Sequence, residues 1–368
     1  MNKLFTFTIV TLFFLQTTKS QDIIPIDTTH FNINANTYVI EQFKGKNAIY
    51  LQGGTLAPKN IKFLNGTIEF DLYLKDEQAF PGVFFRMTEE QNGEQFYVRP
   101  HQSGNPDANQ VLGVTRGISP WQLYHGSKYS FPHVYKYDTW THVRIVVNDM
   151  KAQLYLNNAK DANLSWSLFH PTQEGTLFFT GGNRSGMHLA NIKIDKTKKT
   201  LIDFKPVERK AIEGLVPEWE LSNKFEEKLL DTPSNIKSVI ASRTWGKKIQ
   251  VEEGTAANIS RQVSLRNKIS GNTVFARITI NSNTAQTKLF EFGYSDRAVV
   301  VLNGSPLYKG NNNFRSRDYR YLGTIGLFDA VYLNLKKGKN VLLIAVSENF
   351  GGWLVTGKFK DPSGIKIR

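Results

Sequence analysis

Residues 66–74, GTIEFDLYL, alternate with a period of two, with Ile68, Phe70, Leu72 and Leu74 on one side and Glu69, Asp71 and Tyr73 on the other. Successive side chains of a β-strand point to opposite faces, so the stretch predicts an antiparallel strand with one face in a core and the other toward solvent. Working outward, similar short runs recur at 83–87, 95–100, 121–124 (WQLY), 141–147, 152–157, 176–181 and 190–195. Gly, Pro, Asn and Asp lie between them, and Asn148-Asp149 falls where a hairpin turn joins two runs. After residue 217 the pattern resumes at 248–253, 273–281, 288–294, 298–303, 330–335, 340–348 and 353–359, with Asn303-Gly304 as a strong hairpin signal. No credible long helix interrupts either series. The expected fold is all-β, two consecutive antiparallel β-sandwiches of the jelly-roll kind.

The division along the chain follows from composition. Residues 1–20 have a basic start at Lys3, an apolar stretch from Leu4 to Leu15, and small residues at Thr18 and Ser20, the layout of a signal peptide cleaved before Gln21. Residues 21–195 and 218–368 are the two expected sandwiches, and 196–217, charged and carrying Pro206 and Pro217, is the expected linker. No segment after the leader approaches the roughly 20 apolar residues of a membrane-spanning helix. A secreted or periplasmic location is therefore expected. The chain has no cysteine, which excludes disulfides, thiolate metal sites and cysteine nucleophiles. Cleavage would remove Lys3 and Lys19 and no acid, two charges off the formal +14, leaving a basic protein suited to polyanions outside the cell. Nucleic acid is not an expected partner, because no recognisable binding motif appears.

Two resemblances refine this picture. The wording of residues 61–195, with GTIEFDLYL, FPGVFFRM, FYVRPHQSG, WQLYHG and WTHVRIVVNDMKAQLYLNN, resembles concanavalin A-like and laminin-G-like jelly rolls. Residues 273–359 resemble galactose-binding-like sandwiches through FGYSDRAVVVLNG, SRDYRYLG, LNLKKGKNVLLIAV and FGGW, with Lys337-Gly338-Lys339-Asn340 as the turn before a buried strand. The first superfamily includes lectins, glycosidases and adhesion modules on one scaffold, so the resemblance implies a glycan or envelope partner without choosing an activity. One family of concanavalin-like glucanases carries Glu-x-Asp-x-x-Glu on a single strand. Here Glu69 and Asp71 begin the motif and Leu74 breaks it, so both acids are expected to be solvent-facing strand residues and no catalytic residue is assigned.

The seven histidines show neither HExxH nor a two-residue metal spacing, and no G-x-S-x-G elbow occurs. Calcium suits both fold families, yet no dense Asp/Asn loop stands out, so no cofactor is assigned. The expected carbohydrate-binding set is Arg86, Tyr97, Arg99, His101, Trp121, Tyr124 and His125. Tyr97, Arg99 and His101 alternate onto one face, and a flat aromatic beside Arg and His donors suits the C–H faces and hydroxyl edges of a sugar. A second candidate set is Tyr294, Arg297, Arg317, Asp318 and Trp353, where guanidinium forks would grip a carboxylate or sulfate. The expectation is an exported, non-catalytic carbohydrate-binding protein, with polysaccharide or glycan as partner. Two alternatives stand beside it: a glycan-active hydrolase or lyase with an undescribed site, and an adhesive or structural envelope protein.

Overall fold

The computed structural model describes residues 23–182, 185–313, 315 and 317–368. The expected signal peptide lies outside the described residues. The strand Gly66–Leu74 forms as the alternation requires, with Ile68, Phe70, Leu72 and Leu74 all 0% exposed. Fully burying each such side chain contributes about 1.5–3 kcal/mol, so this one face anchors the first core.

Among the described residues, twelve strands make one antiparallel sheet. Its order is Leu164–Ser167, Lys151–Leu156, Thr139–Asn148, Gly66–Leu74, Met187–Asp195, Lys46–Pro58, Gly175–Thr180, Gly82–Met87, Gly93–Val98 and Asn109–Val114. Phe31–Phe43 runs beside Lys46–Pro58, and Lys62–Phe63 beside Gly175–Thr180. The sheet folds over at Lys46–Pro58, which bonds to Met187–Ala190 through Ala48–Leu51 and to Phe179 through Leu56. The two layers then enclose a single core, in which Phe70 of one meets Phe179 of the other edge-on at 5.1 Å.

Four features differ from the sequence reading. Asp71 is not solvent-facing; it is 3% exposed and accepts from Lys46 Nζ, His142 Nδ1 and Asn191 Nδ2. Glu69 beside it is half-buried, 3.4 Å from His142 Nε2. WQLY is a turn, because Pro120 starts a reversal in which Leu123 N donates to Pro120 O and Tyr124 N to Trp121 O. The strand holding Tyr97 ends at Val98, and Pro100–Gln102 is a short 3-10 turn, so strand alternation does not carry through Arg99 to His101. Finally, the Phe31–Phe43/Lys46–Pro58 hairpin was not anticipated; it reverses at Lys44 and Gly45, both at positive φ.

The second sheet contains, among the described residues, eleven antiparallel strands. Ser305–Asn311, Arg297–Leu302, Gly338–Ser347, Thr273–Ser282 and Glu218–Leu221 lead through Lys247–Glu252 and Ala256–Asn258 to Leu354–Phe359, Gln286–Ser295 and Asp329–Leu335. Ile365–Ile367 lies along Thr273–Ser282, and Trp219, Phe290, Phe292 and Trp353 centre the core. The only α-helix among the described residues, Ile236–Ala241, covers a smaller apolar cluster around Phe275 and Val301. No helix among them is long and apolar enough to cross a membrane.

Residues 196–217 cross from one sheet to the other as a strap tied at intervals. Gln153 brackets Ile202 by accepting from its N–H and donating to its carbonyl; Arg209 donates to Leu123 O, and Val216 N to Gly357 O. The sandwiches are in direct contact: Ala256, Ile325 and Leu354 join the first core, and Lys128 pairs with Glu253 at 2.7 Å.

Candidate functional site

The first-sandwich candidates do not form one open face. Tyr97, Arg99 and Tyr124 are each 5% exposed or less, enclosed by neighbours of their own sandwich: Phe80 against Tyr97, Tyr129 and Phe169 against Tyr124, and Asp107 and Gln110 on Arg99. Arg99 Nη1 donates to Asp107 Oδ1 at 2.6 Å, Arg99 Nη2 to the Tyr97 hydroxyl at 2.7 Å, and that hydroxyl to Gln110 Oε1 at 2.6 Å. Gln110 Nε2 in turn donates to the carbonyls of Trp121 and Tyr124. Arg99 Nε is left without a partner, but the bonds that are made link the strand to the loop above it, and Gln110 fixes that loop's backbone at two carbonyls. His101 packs edge-on against Phe80 at 5.3 Å, and burial lowers its pKa. Arg86 lies apart from the set, donating to Leu64 O and Asp149 O and so clamping two turns.

The second candidate set also divides. Trp353 is 0% exposed and donates to Val346 O, a core residue. Arg297 is held bidentate by Glu227 at 2.7 Å for both bonds. Tyr294 shares a 2.7 Å hydrogen bond with Tyr308, which donates to Asp329, and Arg317 reaches the same carboxylate at 3.3 Å. Asp318 is gripped by Arg320 Nε at 2.9 Å and Nη2 at 2.7 Å; these bonds hold its pKa below the usual carboxylate value.

The remaining members meet where the sandwiches dock. Leu322 N donates to Asp107 Oδ2, Ile325 N to Gln122 O, and Gly352 N to Gln122 Oε1. This seats Trp121 of the first sandwich against Phe350 of the second, ring centroids 5.2 Å apart and planes tilted by 52°. Trp121 is half-buried and Phe350 is 54% exposed, so the pair offers apolar ring surface to solvent. Gly351, at φ +113°, lets the chain pass beneath the indole, since a Cβ there would stand 2.5 Å from the Trp121 ring. Glu348, 0% exposed, accepts from Phe350 N at 2.7 Å, and burial with Asp296 beside it pushes its carboxyl well above the ordinary range.

Around the aromatic pair the groups are polar. Arg209 Nη2 lies 2.8 Å from His125 Nε2; arginine only donates, so Nε2 accepts and Nδ1–H donates to Gln122 O at 2.9 Å. Burial, then the Arg209 charge, lowers the His125 pKa to about 4, so the ring is neutral at physiological pH. His125 meets Tyr321 at 5.7 Å, next in sequence to the Arg320–Asp318 pair, and Tyr319 is 97% exposed. Thus Trp121 and His125 from one set and Asp318 from the other belong to a single junction. Phe350, Arg209 and Tyr321 were missed; Phe350 is a lone aromatic in a glycine-rich loop, and only the docking gives it a partner. Among the described residues, no three His, Asp or Glu side chains gather as a metal ion requires.

No family model matches the chain, and no curated protein does. Solved structures do. The chain is similar to carbohydrate binding module CBM66 from Bacillus subtilis, at 14% identity and TM-score 0.34 over 45% of this chain and 95% of that one. It is similar to domain 4 of a GH43 extracellular arabinanase from Geobacillus stearothermophilus, solved with arabinotriose, at 13% and 0.30 over 49% and 91%. A galectin from Caenorhabditis elegans matches at 16% and 0.29 over 46% and 99%.

Proposed function

We propose that this chain is an exported, non-catalytic carbohydrate-binding protein whose glycan site is the junction between its two sandwiches. The observation that carries the reading is the Trp121–Phe350 pair, one ring from each sandwich, held 5.2 Å apart and open to solvent. A sugar ring places its C–H face on such aromatic surface, and its hydroxyl edge needs donors and acceptors of the kind Arg320 and Asp318 supply. The loops that present the rings are fixed from below by Gln110, Gln122 and Glu348, so little ordering cost falls on binding. Export is supported by the leader-like residues 1–20, and the non-catalytic reading by the glucanase motif broken at Leu74.

A glycan-array screen of the mature protein at high salt, repeated with Phe350→Ala, tests this. Phe350 is more exposed than buried, so the variant is expected to keep its melting temperature while losing about tenfold in affinity, roughly 1.4 kcal/mol, for whichever glycan is retained. Unchanged binding by the variant would remove the junction as the site. Cleavage products from the retained glycan would replace the non-catalytic reading with an enzymatic one.

A further inference from the structure

On the second sandwich, away from every residue of the junction, lies an open cleft of about 520 Å³. Its walls carry Lys237, Lys336, Lys339 and Arg277, and its floor is Ile240, Val341 and Leu343. Lys237, Lys336 and Lys339 are exposed and have no ion-pair partner among the described residues. Arg277 is already neutralised by Glu220, at 2.5 Å and 3.0 Å, and its Cζ lies over the Trp245 ring, 3.8 Å from the centroid. The cleft therefore concentrates three uncompensated positive charges over an apolar floor.

Lys336 and Lys339 stand on a braced turn. Asn340, 0% exposed, accepts from Lys336 N at 3.1 Å and donates to Lys336 O at 2.8 Å and Gly338 O at 3.1 Å, locking the turn that bears Lys336 and Lys339. Asn303 donates to Asn340 Oδ1 and accepts from Val341 N, which ties the neighbouring Asn303-Gly304 turn to the first. Across that turn lies Lys237, its Cγ 3.3 Å from where a Gly304 Cβ would stand. Solvated lysines scattered for solubility need no such frame; lysines converging on one ligand do.

We infer that this cleft binds an acidic polysaccharide through successive sulfate or carboxylate groups. Ammonium groups on the Lys336–Lys339 turn and on the helix Ile236–Ala241 across the cleft match anions repeated along a chain, while Ile240 and Val341 meet the apolar face of the intervening sugar rings. The inference stands apart from the junction site and needs none of its residues.

The test compares the full mature chain with two triple variants of equal charge change. One is Lys237→Gln, Lys336→Gln, Lys339→Gln; the control is Lys75→Gln, Lys160→Gln, Lys199→Gln, all exposed residues of the first sandwich or the strap. Probes are dextran sulfate, polygalacturonate, neutral dextran and a DNA duplex, each titrated at several salt concentrations. The expected result is retention of at least one acidic polysaccharide over neutral dextran, a loss of about tenfold for the cleft variant with a shallower salt dependence, and about twofold or less for the control. Preference for dextran sulfate would identify sulfate as the recognised group, and preference for polygalacturonate the carboxylate. Equal losses in both variants would reduce the effect to net charge and overturn the inference. So would tighter binding of the duplex than of either acidic polymer, or no preference over neutral dextran.

Discussion

At Asp71 three donors converge: Lys46 Nζ at 2.6 Å, His142 Nδ1 at 2.7 Å and Asn191 Nδ2 at 2.7 Å. Burial opposes the Asp71 charge, but the bonds from His142 and Lys46 outweigh it and hold the carboxyl below its ordinary pKa. The same bonds, from Asp71 first and Glu69 second, raise His142 to about 9. A histidine whose folded pKa exceeds its unfolded value of roughly 6.5 contributes stability that is complete below that value and lost as pH rises through the folded pKa. His142→Gln is therefore expected to destabilise the protein most near pH 6, with the gap closing between about pH 7 and 10; urea unfolding of both proteins across that range reads it out. A gap that stayed constant to pH 10 would show that the ring matters by packing alone. In the sequence Asp71 reads as a surface acid because alternation assigns a face, and nothing in that alternation reveals that Lys46, His142 and Asn191 come from three other strands to cover it.

Hairpins were the most legible elements. Asn303-Gly304 was marked by residue type, and the structure has Asn303 at φ +52° and Gly304 at +82° between Arg297–Leu302 and Ser305–Asn311. Asn148-Asp149 was placed within one residue: Asn148 pairs with Lys151, and Asp149 takes the left-handed conformation. The Lys44-Gly45 turn does the same work without an Asn or Asp as signal, and the Phe31–Phe43 strand it begins from is mostly exposed, so no buried face marked it. Gly304→Ala places a side chain where φ is strongly disfavoured, and about 1–2 kcal/mol of stability is expected to be lost. Denaturant unfolding checks that figure, and a neutral substitution would mean the turn relaxes to another type. WQLY failed as a strand for the opposite reason: its composition is strand-like, but Pro120 and the side-chain bonds of Gln110 and Gln122 hold it as a turn.

Two sandwiches were readable from two series of alternating runs; how they meet was not, because each contact at the junction joins residues far apart in sequence. Gln122 bonds to Gly352, Asp107 to Leu322, and Trp121 lies against Phe350. Separate sites in separate domains are accordingly what the sequence suggests, whereas Tyr97, Arg99 and Tyr124 are buried and docking draws Trp121, His125 and Asp318 toward one rim. A glycan held there must touch both sandwiches together. Hydrogen–deuterium exchange of the full chain, with and without a saturating oligosaccharide identified by the array, measures that directly. Slower exchange in residues 119–126 and 348–353 together is the expected result; protection confined to one sandwich, or to a face remote from the junction, would contradict a shared site.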